Sequence, residues 1–198
     1  MSGGVAIVKT RLIPACRDQP WRPAEKVAMS GQVPSQIIGV LSDTHGVAVH
    51  TARAGELFVR HGVGRVFHCG DIGGEAVVDA LAHLDVTYVL GNMDRDEEAL
   101  SRYIRALGQT VGTPYACCEV AGRRIAAIHG DDWGALCELI QSQRFDVVLH
   151  GHTHRVRDEC MGPTRVVCPG ALHGPDRPTV AVVQLNGPTG PAPRFLEL

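Results

Sequence analysis

The chain has 198 residues, 44% apolar and 20% charged, with a formal net charge of −2, which fits one domain of ordinary size with enough apolar side chains for a core. That near-neutral balance excludes bulk electrostatic attraction to nucleic acid or an acidic membrane surface. No apolar stretch approaches the ~20 residues that cross a bilayer.

In chain order, residues 1–35 come first, with five Lys or Arg, four Pro and no periodicity. They read as an extension to a domain over residues 36–198. Val5-Ala6-Ile7-Val8 is too short for a signal-peptide apolar region. Met29, just ahead of the first strand, is a candidate true start, which the N-terminal mass of the natively expressed protein decides. From Ile37 onward, strands at 37–41, 66–69 and 86–90 alternate with helical patterns at 47–61, 74–84 and 96–107. That alternation is α/β grammar. Two strands at 116–120 and 124–128 then form a hairpin, a helix covers 132–143, and short strands follow at 147–149, 165–168, 179–185 and 194–196. Helix-separated strands followed by hairpins predict either one mixed sheet or two sheets packed face to face.

Five of these strands run into residues of metal-ligand type. Ser42-Asp43-Thr44-His45 follows the first, Gly70-Asp71 the second and Gly91-Asn92 the third. His129-Gly130 and His150-Gly151-His152-Thr153-His154 follow the strands ending at 128 and 149. In open α/β sheets, ligands sit beyond the carboxyl ends of strands. Asp43, His45, Asp71, Asn92, His129, His152 and His154 should therefore converge on one edge, as a site for two metal ions. The blend of carboxylate, amide and imidazole suits Mn, Fe, Zn, Ni or Co and is too nitrogen-rich for a dedicated Mg or Ca cage.

In this order, Asp-x-His, Gly-Asp, Gly-Asn, His-Gly and Gly-His-x-His are the signature of the calcineurin-like metallophosphoesterases, and the chain resembles that family over residues 37–198. It looks like the small bacterial and archaeal phosphodiesterase branch, which includes the retromer subunit Vps29 by fold. The resemblance implies an α/β/β/α sandwich of two mixed β-sheets flanked by helices. It assigns Asp43, His45, Asp71 and His154 to one ion and Asp71, Asn92, His129 and His152 to the other. Asp71, Asn92 and His129 are the expected catalytic residues. Two divalent ions, manganese first, would acidify a shared water, and the hydroxide so formed would attack phosphorus. The expected substrate is a small phosphodiester, nucleotide-derived esters included, with no stable nucleic-acid binding and no membrane. Self-association is an expectation by analogy only. The rival reading is a protein-binding scaffold like Vps29, which degraded ligand positions would favour.

Two departures qualify that resemblance. Met93 stands directly after Asn92, where many relatives carry a His able to protonate the leaving group; a thioether cannot, so diesters and activated esters are expected over monoesters. Cys168-Pro169-Gly170-Ala171 replaces an Asn-Pro-Gly-Ser segment common in small relatives. Asp94 reads equally as a carboxylate orienting the loop or as a helix cap. His50, His61 and His83 read as solvated, His68 and His150 as core groups or supports of the ligands, and His173 as near the site by motif position but without an assigned role. Arg95 and Arg155 follow ligand loops, with phosphate contact as one reading and a solvent-facing position as the default. Seven cysteines, an odd count with no C-x-x-C, indicate neither a disulfide framework nor a zinc knuckle and point to a reducing cytoplasm. Cys69, Cys117, Cys118 and Cys137 read as small buried apolar residues.

Overall fold

The computed structural model describes residues 36–174, 176–187 and 189–198. The expectations for residues 1–35, Met29 included, lie outside them. The first layer pair contains β1 (Ile37–Leu41), α1 (Ala48–Arg60), β2 (Arg65–Cys69), α2 (Glu75–Ala80), β3 (Val86–Val89), α3 (Glu97–Ala106) and β4 (Thr110–Gly112). The chain then crosses into β5 (Tyr115–Val120), β6 (Arg123–Ile128), α4 (Trp133–Gln141), β7 (Val147–Leu149), β8 (Val156–Met161) and β9 (Thr164–Pro169). Finally β10 (Thr179–Gly187) and β11 (Gly190–Glu197) return to the first sheet.

One sheet runs β11-β10-β1-β2-β3-β4 and the other β5-β6-β7-β9-β8. In the first, β1 to β4 are parallel neighbours while β10 and β11 are antiparallel. In the second, β6, β7 and β9 are parallel. The two-sheet alternative therefore holds, and both sheets are mixed.

Strand parity builds the layers. Ile38 and Val40 of β1, Phe67 and Cys69 of β2, and Val89 meet Ile125, Ala127, Val147, Leu149 and Val167 between the sheets. The alternate residues face outward: Leu41, Val66 and Tyr88 pack under α1, α2 and α3 with Ala54, Phe58, Val77 and Ile104. Ala126, Ile128 and Val148 pack under Leu136, Leu139 and Ile140 of α4. Each face of these central strands thus has its own apolar partner, as a period of two requires.

The helix starts follow local chemistry. The Asp96 side chain accepts from Ala99 N–H at 3.1 Å and the Asp132 side chain from Ala135 N–H at 3.0 Å, which satisfies amides that have no intrahelical partner. α2 stops at Ala80 rather than residue 84, because Leu84 N–H closes a tighter turn onto Leu81 O at 2.9 Å. Two strands were not expected. β4 is three residues long, too short for alternation to show. β8 is an exposed edge held only by β9, so neither face carries an apolar pattern. Among the described residues, no helix is long and apolar enough to cross a membrane.

Gly39 marks the tightest helix-to-sheet approach. A Cβ there would lie 2.8 Å from Cδ1 and Cε1 of the fully buried Phe58. Gly39→Ala should lower the unfolding free energy by about 1–3 kcal/mol through overpacking, measured by urea denaturation. Adding Phe58→Leu to that background should recover part of the loss, because the ring is what the methyl meets.

Candidate metal centre

The parallel ladders do not end with the strands; the loops beyond them stay bonded to one another. Asp43 N–H donates to Gly70 O at 3.0 Å, His45 N–H to Asp71 O at 2.9 Å, and Gly151 N–H to His129 O at 2.9 Å. The loop that carries Asp43 and His45 is thereby locked to that of Asp71, and the loop that carries His152 and His154 to that of His129. Asp43, His45, Asp71, His152 and His154 also adopt positive φ, between 42° and 64°, a region that non-glycine residues enter sparingly. Five such residues at one strand edge mark a site whose backbone is set by its surroundings rather than by local preference.

Two sets of ligand atoms lie within 4.8 Å of one another: Asp43, His45 and His154, and Asp43, Asp71 and His129. Asp43 belongs to both. Asp71 faces two imidazoles at once, with Oδ2 at 3.5 Å from His45 Nε2 and Oδ1 at 3.4 Å from His129 Nε2. His154 Nε2 lies 3.3 Å from Asp43 Oδ1. His152 stands beside His129 with ring centroids 5.1 Å apart, outside both tight sets, and its backbone N–H donates to Asp43 Oδ2 at 3.1 Å. Asn92 Oδ1 lies 3.1 Å from His129 Nε2.

Hydrogen-bond logic tells which atoms remain open. His129 Nδ1 lies 2.8 Å from Cys69 O, and a carbonyl can only accept, so Nδ1 carries the proton. Burial opposes charge on His129, but Asp71 and the Cys69 carbonyl outweigh it and raise its pKa, so without a cation Nε2 donates toward Asp71 Oδ1; a neutral His129 would turn that lone pair, with Asn92 Oδ1 beside it, to a cation instead. Asp43 is fully buried, and its Oδ1 has no hydrogen-bond partner. Both features fit a divalent cation. Without one, burial pushes the Asp43 carboxyl above its ordinary value. Burial also opposes charge on Asp71, but the His129 contact and the Met93 N–H, 2.9 Å from Oδ1, outweigh it and hold that carboxyl low.

The outer contacts explain several side chains. His68 Nε2 lies 2.9 Å from Thr44 Oγ1, which itself donates to Ile72 O at 2.9 Å. His68 must therefore donate through Nε2. Burial holds its pKa at about 3, and that of His150 at about 4, so both stay neutral. Cys69, Cys117 and Cys118 are buried, while Cys137 is only half-buried. His50 and His61 differ from expectation: they are half-buried and bond Leu172 O at 2.9 Å and Leu57 O at 2.8 Å. His173, near the site by motif position, has its ring tilted against that of His45 with centroids 5.1 Å apart, and its backbone N–H donates to Asp43 O. Asp94 resolves in favour of the loop: it accepts from Gly73 N–H at 2.9 Å and Gly91 N–H at 2.8 Å, while Asp96 caps α3.

Two glycines make room for the carboxylates. A Cβ at Gly91 would fall on Asp71, and one at Gly151 on Ser42 Oγ and 2.8 Å from Asp43 Oδ2.

The model of the calcineurin-like phosphoesterase superfamily domain matches residues 37–187, and the chain belongs to that superfamily. A phosphodiesterase of Methanocaldococcus jannaschii is 28% identical over 140 residues, covering 69% of this chain and 84% of the relative. Among solved structures, a novel archaeal phosphodiesterase superposes with a TM-score of 0.74 at 26% identity, over 82% of this chain and 99% of that one. Vps29 of Chaetomium thermophilum matches with a TM-score of 0.59 at 16% identity, over 83% of this chain and 97% of that one. That last likeness is one of fold alone.

Asp94→Asn replaces one of two buried acceptor oxygens by an amide donor facing a backbone N–H. The substitution should cost about 1–3 kcal/mol of stability, read from the urea midpoint at constant slope.

Proposed function

We propose that this chain is a phosphodiesterase that depends on two divalent cations and cleaves a P–O bond of a small phosphodiester. The observation that carries the reading is Asp43, a fully buried carboxylate with an unpartnered oxygen, shared between two groups of ligand atoms. In this reading Asp43, His45, Asp71 and His154 hold one ion, and Asp71, Asn92, His129 and His152 the other. The divided facing of Asp71, one oxygen toward His45 and one toward His129, supports a bridging role. Manganese is the first choice of ion, with Fe, Zn, Ni and Co suited to the same donors. Bound divalent cations supply Lewis-acid charge to phosphoryl oxygens and lower the pKa of water.

The remaining work falls to the chain itself. The Cys69 carbonyl fixes the His129 tautomer and leaves Nε2 facing the centre. Asp94 holds the Gly73 and Gly91 loops together, which keeps Asn92 and Asp71 at a constant separation. His68 and His150, neutral by burial, add no charge to repel a cation. Met93 offers only its backbone N–H to Asp71; its exposed thioether has no proton for a departing alkoxide. That chemistry favours diesters and activated esters. The six free cysteines among the described residues support action in the reducing cytoplasm.

Steady-state hydrolysis of bis-p-nitrophenyl phosphate with Mn²⁺ tests the reading. Turnover should be measurable and should fall at least about 100-fold in His152→Ala, whose imidazole is withdrawn from the centre. No turnover by folded, metal-loaded protein would shift the reading to a binding scaffold. The leaving-group argument has its own test. Met93→His should raise p-nitrophenyl phosphate hydrolysis relative to the diester by about tenfold or more, on the scale of general-acid assistance; an unchanged ratio defeats it.

A further inference from the structure

A cavity of about 420 Å³ opens beside the candidate metal centre, from His45 and Met93 outward between Gly74-Glu75 and the start of α3 at Arg95 and Asp96. Small-molecule sites usually enclose ~300–1,000 Å³. Met93 is 53% exposed there, an apolar side chain presented to solvent next to a polar centre. The wall at Gly74 is bare backbone, and a Cβ at that position would meet nothing within 4 Å. Glu75 and Arg95 are exposed, and neither makes a hydrogen bond or ion pair among the described residues. Asp96 spends one oxygen on capping α3.

This lining selects by charge and polarity. A second phosphate would face two carboxylates, Glu75 and Asp96, against the single guanidinium of Arg95. A purely hydrocarbon arm would desolvate the same three groups and give them no partner. An uncharged arm rich in hydroxyls and carbonyls avoids both costs. Its hydroxyls donate to a carboxylate, its carbonyls accept from Arg95, and a flat ring packs on Met93 or under the guanidinium.

We propose that this cavity seats the nucleoside arm of the phosphodiester, with Glu75 and Arg95 as the residues that determine specificity for it. Glu75 accepts from the sugar hydroxyls and Arg95 engages the base, while Met93 provides the apolar contact. The inference rests on the phosphodiesterase reading above.

The test is competitive inhibition of bis-p-nitrophenyl phosphate hydrolysis by thymidine 5′-monophosphate and by inorganic phosphate. Phosphate occupies the centre without an arm and so serves as the reference in every protein. In the wild type, the nucleotide should inhibit about tenfold more tightly than phosphate. Glu75→Ala and Arg95→Ala should each reduce that advantage severalfold, as loss of a hydrogen bond to a charged group predicts. A general disturbance of the fold would weaken both inhibitors together and leave the ratio in place. Turnover with no nucleotide advantage, or with the advantage intact in both variants, overturns the inference alone. Absence of turnover in the wild type overturns the phosphodiesterase reading and the inference with it.

Discussion

A carboxylate with no exposed surface needs compensation, and Asp43 receives it from both sheets at once. Its loop is bonded to the Gly70 carbonyl on the β2 side. Its Oδ2 accepts from the His152 backbone on the β7 side, and its Oδ1 lies 3.3 Å from His154 Nε2. Such a group is costly unless positive charge stands beside it. The surrounding histidines, the raised pKa of Asp43 and the lowered pKa of Asp71 are consequences of that requirement. The positive-φ backbone around it is held by loop-to-loop hydrogen bonds rather than by glycine.

Polar burial is also graded with distance from this centre. Near it, burial opposes charge on both carboxylates; the His129 contact and the Met93 amide overcome it at Asp71, while at Asp43 burial prevails. One layer back, His68 and His150 sit on the strand ends themselves, and burial removes their capacity to charge. Stacking of His68 on Tyr88, with centroids 5.6 Å apart, continues the change toward a purely apolar interior. A cation at the centre would therefore meet no charged imidazole from His68 or His150 behind it.

Much of this was legible in the sequence because strand ends and ligand types coincide. A β-branched run ending in Gly-Asp or His-Gly carries its structural and chemical meaning in adjacent letters, which is why the seven candidate residues could be named and are found along one edge. What could not be read depends on partners remote in sequence. β8 owes its existence to the register of β9, and its own residues show no pattern. His50 looks solvated until Leu172, far along the chain, presents a carbonyl to it. His173 is adjacent to His45 only because the segment after β9 folds back onto the Asp43 loop. The choice between loop and cap for Asp94 turned on whether Gly73, in a different connection, came within reach.

Because the centre draws on loops from both sheets, the apolar layer between them does more than exclude water. Ile38, Val40, Phe67, Ile125, Leu149 and Val167 set how far one sheet is shifted against the other, and that offset is the separation of Asp43 from His152 and His154. A displacement of about 1 Å can sharply reduce the rate of a reaction that depends on alignment. The interior packing thus acts as the dimensional standard of the site, and drift in volume deep in the sandwich would be felt as misalignment at the surface before it was felt as unfolding.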